Sequence, residues 1–524
     1  MPGNSSSTRR RLFRLNNMTG LMNTLSEENA YITFDPNANL GAGLSQLGFE
    51  FKQVVNWQPI SRGGLSKTTG FTLHKDVGIN TPIRAIGRYQ KSDGTNHFIV
   101  AYGGNVYRLN SSGSLISLAM TVSDAYLSLL TALDQLIVCD GINQPKTWNG
   151  SSVGNLATGA DGTAATGFKQ AIYDKNRVFA FSATHDPSLL YYSNPGVINT
   201  GYASNFINCD TNDGQKITCI GRFFIPGDIN PVILVGKERS IGIVVGDGTT
   251  QNPFTFIKVS HDFGIPGFRQ SIQFEQDIAF LTPRGISSYK TALANINLDQ
   301  QLLSGKVYND FTTLSSAVLP DAFCWYDWKN RRISFAVATL NNTYPDTIWH
   351  YDLFTQGMYK QTGFNVTCAF VDNDGTLYTG DPTGKIMRHA PTLNSYNGSP
   401  IQATLQTPHL DFTEPLYQKR IVMAEVTFRG NGTYPLGIST QLDFASITNP
   451  ANIVQSIAGE YTWNGGVWGN DLSVYQWGGA PIVRQKFYPQ GVFKNISFTF
   501  SQSGADQPVQ LLDLVFDVEY LNMI

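Results

Sequence analysis

The sequence predicts an all-β fold built from many short strands, and three observations carry that prediction. The chain has 524 residues with 50 Gly, 32 Phe and 23 Tyr, a mixture of turn formers and aromatic strand formers that favours small sheets joined by tight turns. Helix signals are scarce: only residues 123–133 and 292–303 suggest helix, and neither joins a capping residue to a 3.6-residue period. One phrase also recurs. Asn176 to Gly196 reads NRVFAFSATHDPSLLYYSNPG: a polar start, an apolar run, a break, and a second apolar run that carries an aromatic anchor.

Relatives of that phrase stand at NHFIVAYGGNVY (Asn96 to Tyr107), DQLIVCDGINQPKTW (Asp134 to Trp148), PVILVGKERSIGI (Pro231 to Ile243), QDIAFLTPRGISSY (Gln276 to Tyr289), NRRISFAVATLNNTYPDTIWHY (Asn330 to Tyr351) and DGTLYTGDPTGKIM (Asp374 to Met387). Their anchors are Tyr107, Trp148, Tyr191, Ile243, Tyr289, Tyr351 and Ile386. The intervals run from 35 (Tyr351 to Ile386) to 62 (Tyr289 to Tyr351), with half of them in the forties. Periods of roughly 40–50 residues holding several short strands are those of β-propeller blades. A lone blade cannot bury both faces of its sheet, and stacking blades around an axis does. Residues 81–393 are therefore expected to form an irregular propeller of six or seven blades, ahead of the rival reading as hairpins in stacked sandwiches.

Two regions flank it. Residues 1–80 begin with a Ser- and Arg-rich arm, expected to be mobile in isolation, and continue into a platform segment. From residue 394 to 524 the strands lengthen and alternate with period two, as in IVMAEVTF (Ile421 to Phe428), PLGISTQL (Pro435 to Leu442), VFKNISFTF (Val492 to Phe500) and VQLLDLVFDVEY (Val509 to Tyr520). That alternation predicts an antiparallel β-sandwich. A Gly-rich loop carries Trp463, Trp468 and Trp477, read either as a contact surface or as a lid over the sandwich.

Composition narrows the function classes. Charged residues make up 15%, and the net charge is -2, so the chain lacks the clustered Lys and Arg of a tight phosphate binder. The one basic cluster is Arg9, Arg10, Arg11 and Arg14, read as a solvated tail, a docking arm that orders on a partner, or a phosphate contact. Leu-Phe-Arg-Leu-Asn-Asn follows it instead of an apolar run, so no secretory signal is expected, and no stretch approaches the ~20 apolar residues of a membrane span. The five cysteines, Cys139, Cys209, Cys219, Cys324 and Cys368, include no Cys-x-x-Cys pair and are read as small buried hydrophobes.

No catalytic pattern stands out. None of the seven histidines are paired at i, i+4, and neither a nucleophile elbow nor a Walker A loop is present. The expectation is a non-enzyme with no cofactor and no metal site. Val371-Asp-Asn-Asp-Gly-Thr-Leu-Tyr378 resembles the Asp-box turn of sialidase-like propellers, a structural hairpin; the calcium-loop alternative through Asp372 and Asp374 lacks oxygen ligands. A sialidase also needs three arginines around a carboxylate, for which Arg177, Arg222, Arg239, Arg269 and Arg284 are the candidates.

The order of motifs resembles the tail nozzle (tail tube, or stabilisation-type) proteins of short-tailed bacteriophages. The matching segments are Gly20-Leu-Met-Asn-Thr24, Val55 to Gly70, Tyr89-Gln-Lys-Ser-Asp-Gly94, Gly103-Gly-Asn-Val-Tyr107, Asp140 to Trp148, Asn176-Arg-Val-Phe179, Leu190 to Gly196, Gly236 to Ile241 and Leu410-Asp-Phe412. Lys67-Thr-Thr-Gly70 departs from the pattern by lacking its second basic residue. The resemblance implies a structural protein of the virion tail, assembled in the host cytoplasm as a homo-hexameric ring. The ring would dock to the portal adaptor, support tail fibres or spikes, and let genomic DNA pass without sequence-specific binding. Near-zero net charge suits a conduit on which DNA does not stick. The alternatives are a glycan-binding or sialidase-like propeller and a neck or hub component of a longer-tailed phage.

Overall fold

The computed structural model describes residues 9–15, 21–22, 50–60, 64–156, 167–225, 230–261, 263–290, 302–312, 314, 316–412, 414–430, 435–445, 448–455 and 482–523. The chain divides into two compact units. One comprises residues 72–351 and 364–390, and the other residues 1–71, 352–363 and 391–524.

The first unit is a propeller of seven sheets. Blade 1 is the antiparallel series Ile83–Gln90, Asn96–Tyr102, Asn105–Leu109 and Leu115–Thr121. Blades 2, 3 and 4 repeat that four-strand meander over residues 128–155, 168–208 and 217–260. Blade 5 has three strands, over residues 271–288. A short helix, Tyr308–Thr312, then packs on its third strand, and Phe311 rests 5.4 Å from Trp349 of blade 6. Blade 6 runs through Phe323–Asp327, Arg332–Val337 and Thr347–Asp352, and blade 7 through Cys368–Val371, Leu377–Gly380 and Lys385–His389. The seven first strands neighbour one another in a closed ring, the last touching the first. The wheel is sealed by exchange, because the fourth strand of blade 7 is Phe71–Asp76, from the chain segment before blade 1.

The recurrent phrase of the sequence is the second and third strands of a blade. Its polar start is the hairpin turn between first and second strands. Lys175 and Asn176 both have positive φ, 46° and 58°, the two-residue turn whose twist suits a hairpin and which Asn tolerates. Leu133 and Asp134, at 46° and 61°, form the equivalent turn of blade 2. The apolar run that follows is buried almost completely, as in Val178, Phe179, Ala180 and Phe181, because a second strand is covered by blades on both sides. The aromatic anchors fall on or next to the third strands.

Packing between blades supplies the core. Tyr89, Ile99 and Val106 of blade 1 pack with Leu136, Val138 and Trp148 of blade 2. Phe179, Phe181 and Leu190 of blade 3 pack with Ile220, Ile233 and Val235 of blade 4. Ile83 and Val100 of blade 1 meet Cys368, Tyr378 and Ile386 of blade 7. Each such side chain removed from water contributes about 1.5–3 kcal/mol, and no blade obtains this alone. Residues 123–133, read as helix, instead lead into the first strand of blade 2, Ser128–Ala132: its position in the inner ring, between blades 1 and 3, overrides local propensity. Of the other helical candidate, residues 292–301 lie outside the described residues.

The second unit is an antiparallel sandwich. One sheet orders Ile482–Phe487, Tyr417–Gly430, Val509–Met523, Leu65–Lys67 and Trp57–Pro59. The other includes Gln53–Val55, Ala403–Gln406, Ile496–Gln502, Pro435–Leu442 and Thr448–Gln455. Phe498 and Phe516 stack across the sheets at 4.9 Å. The sandwich is thus built from both ends of the chain. The N-terminal arm, expected to be mobile, is a strand over Arg9–Leu15 paired with Val509–Met523, from Arg9 opposite Tyr520 to Leu15 opposite Leu514. Its anchor is Phe13, 4% exposed and 5.0 Å from Phe412.

Candidate functional site at the propeller axis

The inner strands of the wheel all run the same way, so their N-terminal ends converge on one axial mouth. A cavity of about 220 Å³ opens there, lined by residues from the starts of inner strands, among them Arg84, Leu129, Gln170, Arg269, Cys324 and Cys368. Arg269 is its central group. One guanidinium nitrogen donates to the Thr367 carbonyl at 2.7 Å and another to the Asp321 carbonyl at 2.6 Å. Its Cζ lies 3.7 Å from the Tyr126 ring centre and 4.9 Å from that of Phe323, within the range of a cation–π contact. Its Nε is buried with no hydrogen-bond partner.

Two further cations share this neighbourhood. Arg84 lies 5.2 Å from the Tyr126 ring centre and pairs with Asp124 at 3.0 Å. Lys169 reaches the carbonyls of Tyr126 and Asp140 at 3.3 Å each and sits 4.7 Å from the Phe268 ring. Burial, reinforced by the charge of Arg269, pulls the Lys169 ammonium below its ordinary pKa. Asp140 is held the other way. Burial works to raise it, but the N–H groups of Ser123, Ile142 and Asn143 and the Asn143 side chain outweigh that and keep it ionised. The thiols near the axis are inert, since burial raises Cys219 and Cys368 to about 11.

Away from the axis, several charged side chains join neighbouring blades. Ser92 of blade 1 donates to Asp134 of blade 2 at 2.5 Å. Arg222 of blade 4 meets Asp174 of blade 3 at 3.0 Å. Arg331 of blade 6 meets Glu275 of blade 5 at 2.6 Å, and Arg88 of blade 1 pairs with Asp372 of blade 7. Blade 4 also carries an internal cation. The ammonium of Lys237, a residue 0% exposed, is held by the Cys209 and Asp210 carbonyls at 2.8 and 3.0 Å and by Asp213 at 2.6 Å. It occupies the centre of an Asp-Thr-Asn-Asp-Gly loop.

The candidates from sequence separate widely. Of the five arginines weighed as candidates for a carboxylate clamp, Arg269 lines the axial cavity. Arg177 donates to the Ser193 carbonyl and packs on Tyr192, and Arg222 sits at the blade 3–4 junction. Arg239 and Arg284 occupy turns between second and third strands, so the set does not form a carboxylate clamp. The Asp-box-like segment is a hairpin turn: Gly375 takes φ 81°, its N–H donates to the Asp372 carbonyl, and Thr376 donates to the Asp374 side chain. In the basic strand, Arg10 is exposed, and Arg11 meets Glu414 at 3.6 Å and the Tyr520 ring at 5.5 Å. The side chains of Arg9 and Arg14, and all of Trp463, Trp468 and Trp477, lie outside the described residues. All five cysteines are free thiols.

Sequence reading missed Arg84, Tyr126, Lys169 and Lys237. The signal for Arg269 is its setting, Gly264-Ile-Pro-Gly-Phe-Arg-Gln270. A Cβ at Gly264 would strike the backbone of Lys237 and Glu238, and one at Gly267 the Pro320 carbonyl. Among the described residues, no three His, Cys, Asp or Glu side chains are grouped to hold a metal, and no helix is long and apolar enough to cross a membrane.

No protein-family model matches the chain, and no curated protein matches it. Solved structures do resemble it. The extracellular domain of a putative one-component system from B. thetaiotaomicron superposes with a TM-score of 0.42 at 10% identity over 62% of this chain, which spans 40% of that domain. The WD40 β-propeller domain of Doa1 superposes at 0.36 with 9% identity, covering 62% of this chain and 97% of that one. Virginiamycin B lyase from Staphylococcus aureus superposes at 0.36 with 11% identity, over 60% and 97% of the two chains. The chain is an all-β propeller with an antiparallel sandwich.

Proposed function

We propose that this chain is a structural subunit of a bacteriophage tail nozzle. In this reading six copies form a ring around the axial DNA channel, the ring docks to the portal adaptor, and it carries fibres or spikes. The subunit works as a wall and not as an enzyme, resides in the virion tail, and passes DNA without sequence-specific contacts.

The observation that supports this reading best is the latching of the wheel. Ion pairs span three blade junctions and a Ser92–Asp134 hydrogen bond a fourth, and the wheel is sealed by a strand exchanged from another part of the chain. A subunit that frames a channel under DNA pressure needs that stiffness, whereas a hydrolase needs convergent titratable groups free to act on a substrate. The net charge of -2 fits a passage from which DNA must slide, and the order of short motifs fits the family named above.

Cryo-electron microscopy of intact particles tests it. The expected density is a six-fold ring on the tail axis below the portal. Density off the axis, or a copy number unrelated to six, would overturn the assignment.

A further inference from the structure

We propose that the axial mouth of the propeller binds a small oxyanion, a monocarboxylate or inorganic phosphate. The inference is independent of the tail assignment and rests on the cavity itself. At about 220 Å³ it lies below the usual range for drug-sized ligands and fits a compact acid. Its lining includes two guanidinium groups, Arg84 and Arg269, two hydroxyls, Ser128 and Ser271, and the walls Phe268 and Phe323, with no carboxylate.

Two of the three nearby acids are committed. Asp124 pairs with Arg84 through two hydrogen bonds. Asp140 accepts from three backbone N–H groups and the Asn143 side chain. Asp321 offers Arg269 its carbonyl, and its carboxylate attracts Arg269 and Lys169 from nearby. Arg269 nevertheless keeps a buried Nε with no acceptor, and its charge presses on that of Lys169. Arg84 and Arg269 also crowd the same ring, Tyr126. An oxyanion at the mouth would lie between the Arg84 and Arg269 side chains that line it and would add a counter-charge to those of Asp124 and Asp321. An oxyanion matches the fork of a guanidinium better than a halide does.

Titration calorimetry on the purified full-length protein tests this with sodium phosphate and sodium acetate, at constant ionic strength set by chloride. The expected result is saturable binding of one equivalent of at least one probe. Arg84→Gln and Arg269→Lys should each weaken it at least tenfold while circular dichroism stays unchanged. Arg269→Lys removes a stacked group and can fail to fold; Arg84→Gln then decides. Binding of phosphate alone, acetate alone or both supports the site and names its preference. No saturation up to about 20 mM of either probe, well beyond a millimolar site, would overturn it, as would an affinity unchanged by Arg84→Gln.

Discussion

Replacing Lys237 by Met probes how the wheel holds charge. The methionine keeps a flexible apolar stem of similar reach, so packing changes little. Three hydrogen bonds from the ammonium disappear, two to carbonyls and one to Asp213. Breaking a buried ion pair by removing one partner costs about 3–5 kcal/mol. Here Lys258 remains within 3.4 Å of Asp213 and 2.8 Å of Asp210, so the low end, about 3 kcal/mol, applies. Urea unfolding followed by tryptophan fluorescence should register the loss. In a double-mutant cycle, Asp213→Asn combined with Lys237→Met should be milder than the sum of the single changes, because the partners share one interaction. The acid limb should change too. Burial works to raise Asp213, and the hydrogen bonds from Lys237 and Gln215 outweigh it and leave the carboxyl lowered. A depressed carboxyl stabilises above its unfolded pKa, about 3.9, and that contribution fades as pH falls below it. Lys237→Met should flatten this acid loss. A destabilisation under about 1 kcal/mol, or strict additivity with Asp213→Asn, would refute the account of Lys237 as an internal counter-ion.

Two further outcomes follow from the fold. His389 is pushed down to about 3, first by burial and then by the charge of Arg332; the folded state holds it neutral while the unfolded chain protonates near 6.5. Stability should therefore fall as pH drops from about 6.5 toward 3, and His389→Gln should reduce that slope in thermal melts run across pH, leaving the share of His74 and His97, which are also lowered. Phe13→Ala should destabilise the sandwich by about 3 kcal/mol, the low end for an aromatic core truncation, and should speed amide exchange along Arg9–Leu15; unchanged exchange would refute its role as the anchor of that strand.

The propeller was legible because its blades share one local grammar. A polar turn, a fully buried second strand and an aromatic on the third recur wherever a sheet is sandwiched between two neighbours. The alternating strands Pro435–Leu442 and Val509–Met523 were legible for a related reason, since one face of each meets the opposite sheet. The closure was not. Phe71–Asp76 alternates weakly, and only the three-dimensional ring reveals that blade 7 lacks a strand of its own. The arginine-rich segment is not legible as a strand, because its arginines suit a tail, a docking arm or a phosphate contact alike, while Phe13, one residue in seven, anchors it through a partner 399 positions away at Phe412. The axial group was legible only in part. Arg269 stands out as one arginine among five candidates, but its neighbours Arg84, Tyr126 and Lys169 come from three other stretches of chain, and nothing local marks them as meeting.

The same separation explains where charge goes in this molecule. With only 15% charged residues, solvation of the surface falls largely to uncharged polar groups, and some of the ionised side chains pair across blade junctions, as Arg88 with Asp372, Arg222 with Asp174 and Arg331 with Glu275 do. A propeller's weakest places are its blade junctions and its final seam, since each blade is a small sheet that could tilt outward. Arg88 with Asp372 ties the seam itself, and the strand exchange at blade 7 makes opening there break a sheet as well as an apolar contact. Exposed pairs alone would contribute little. Arg88 and Asp372, however, are mostly buried, and their loss would coincide with exposure of Ile83 and Ile386. Ion pair, strand pairing and apolar packing must then fail together, which makes opening at the seam a cooperative event and the ring a stiff one.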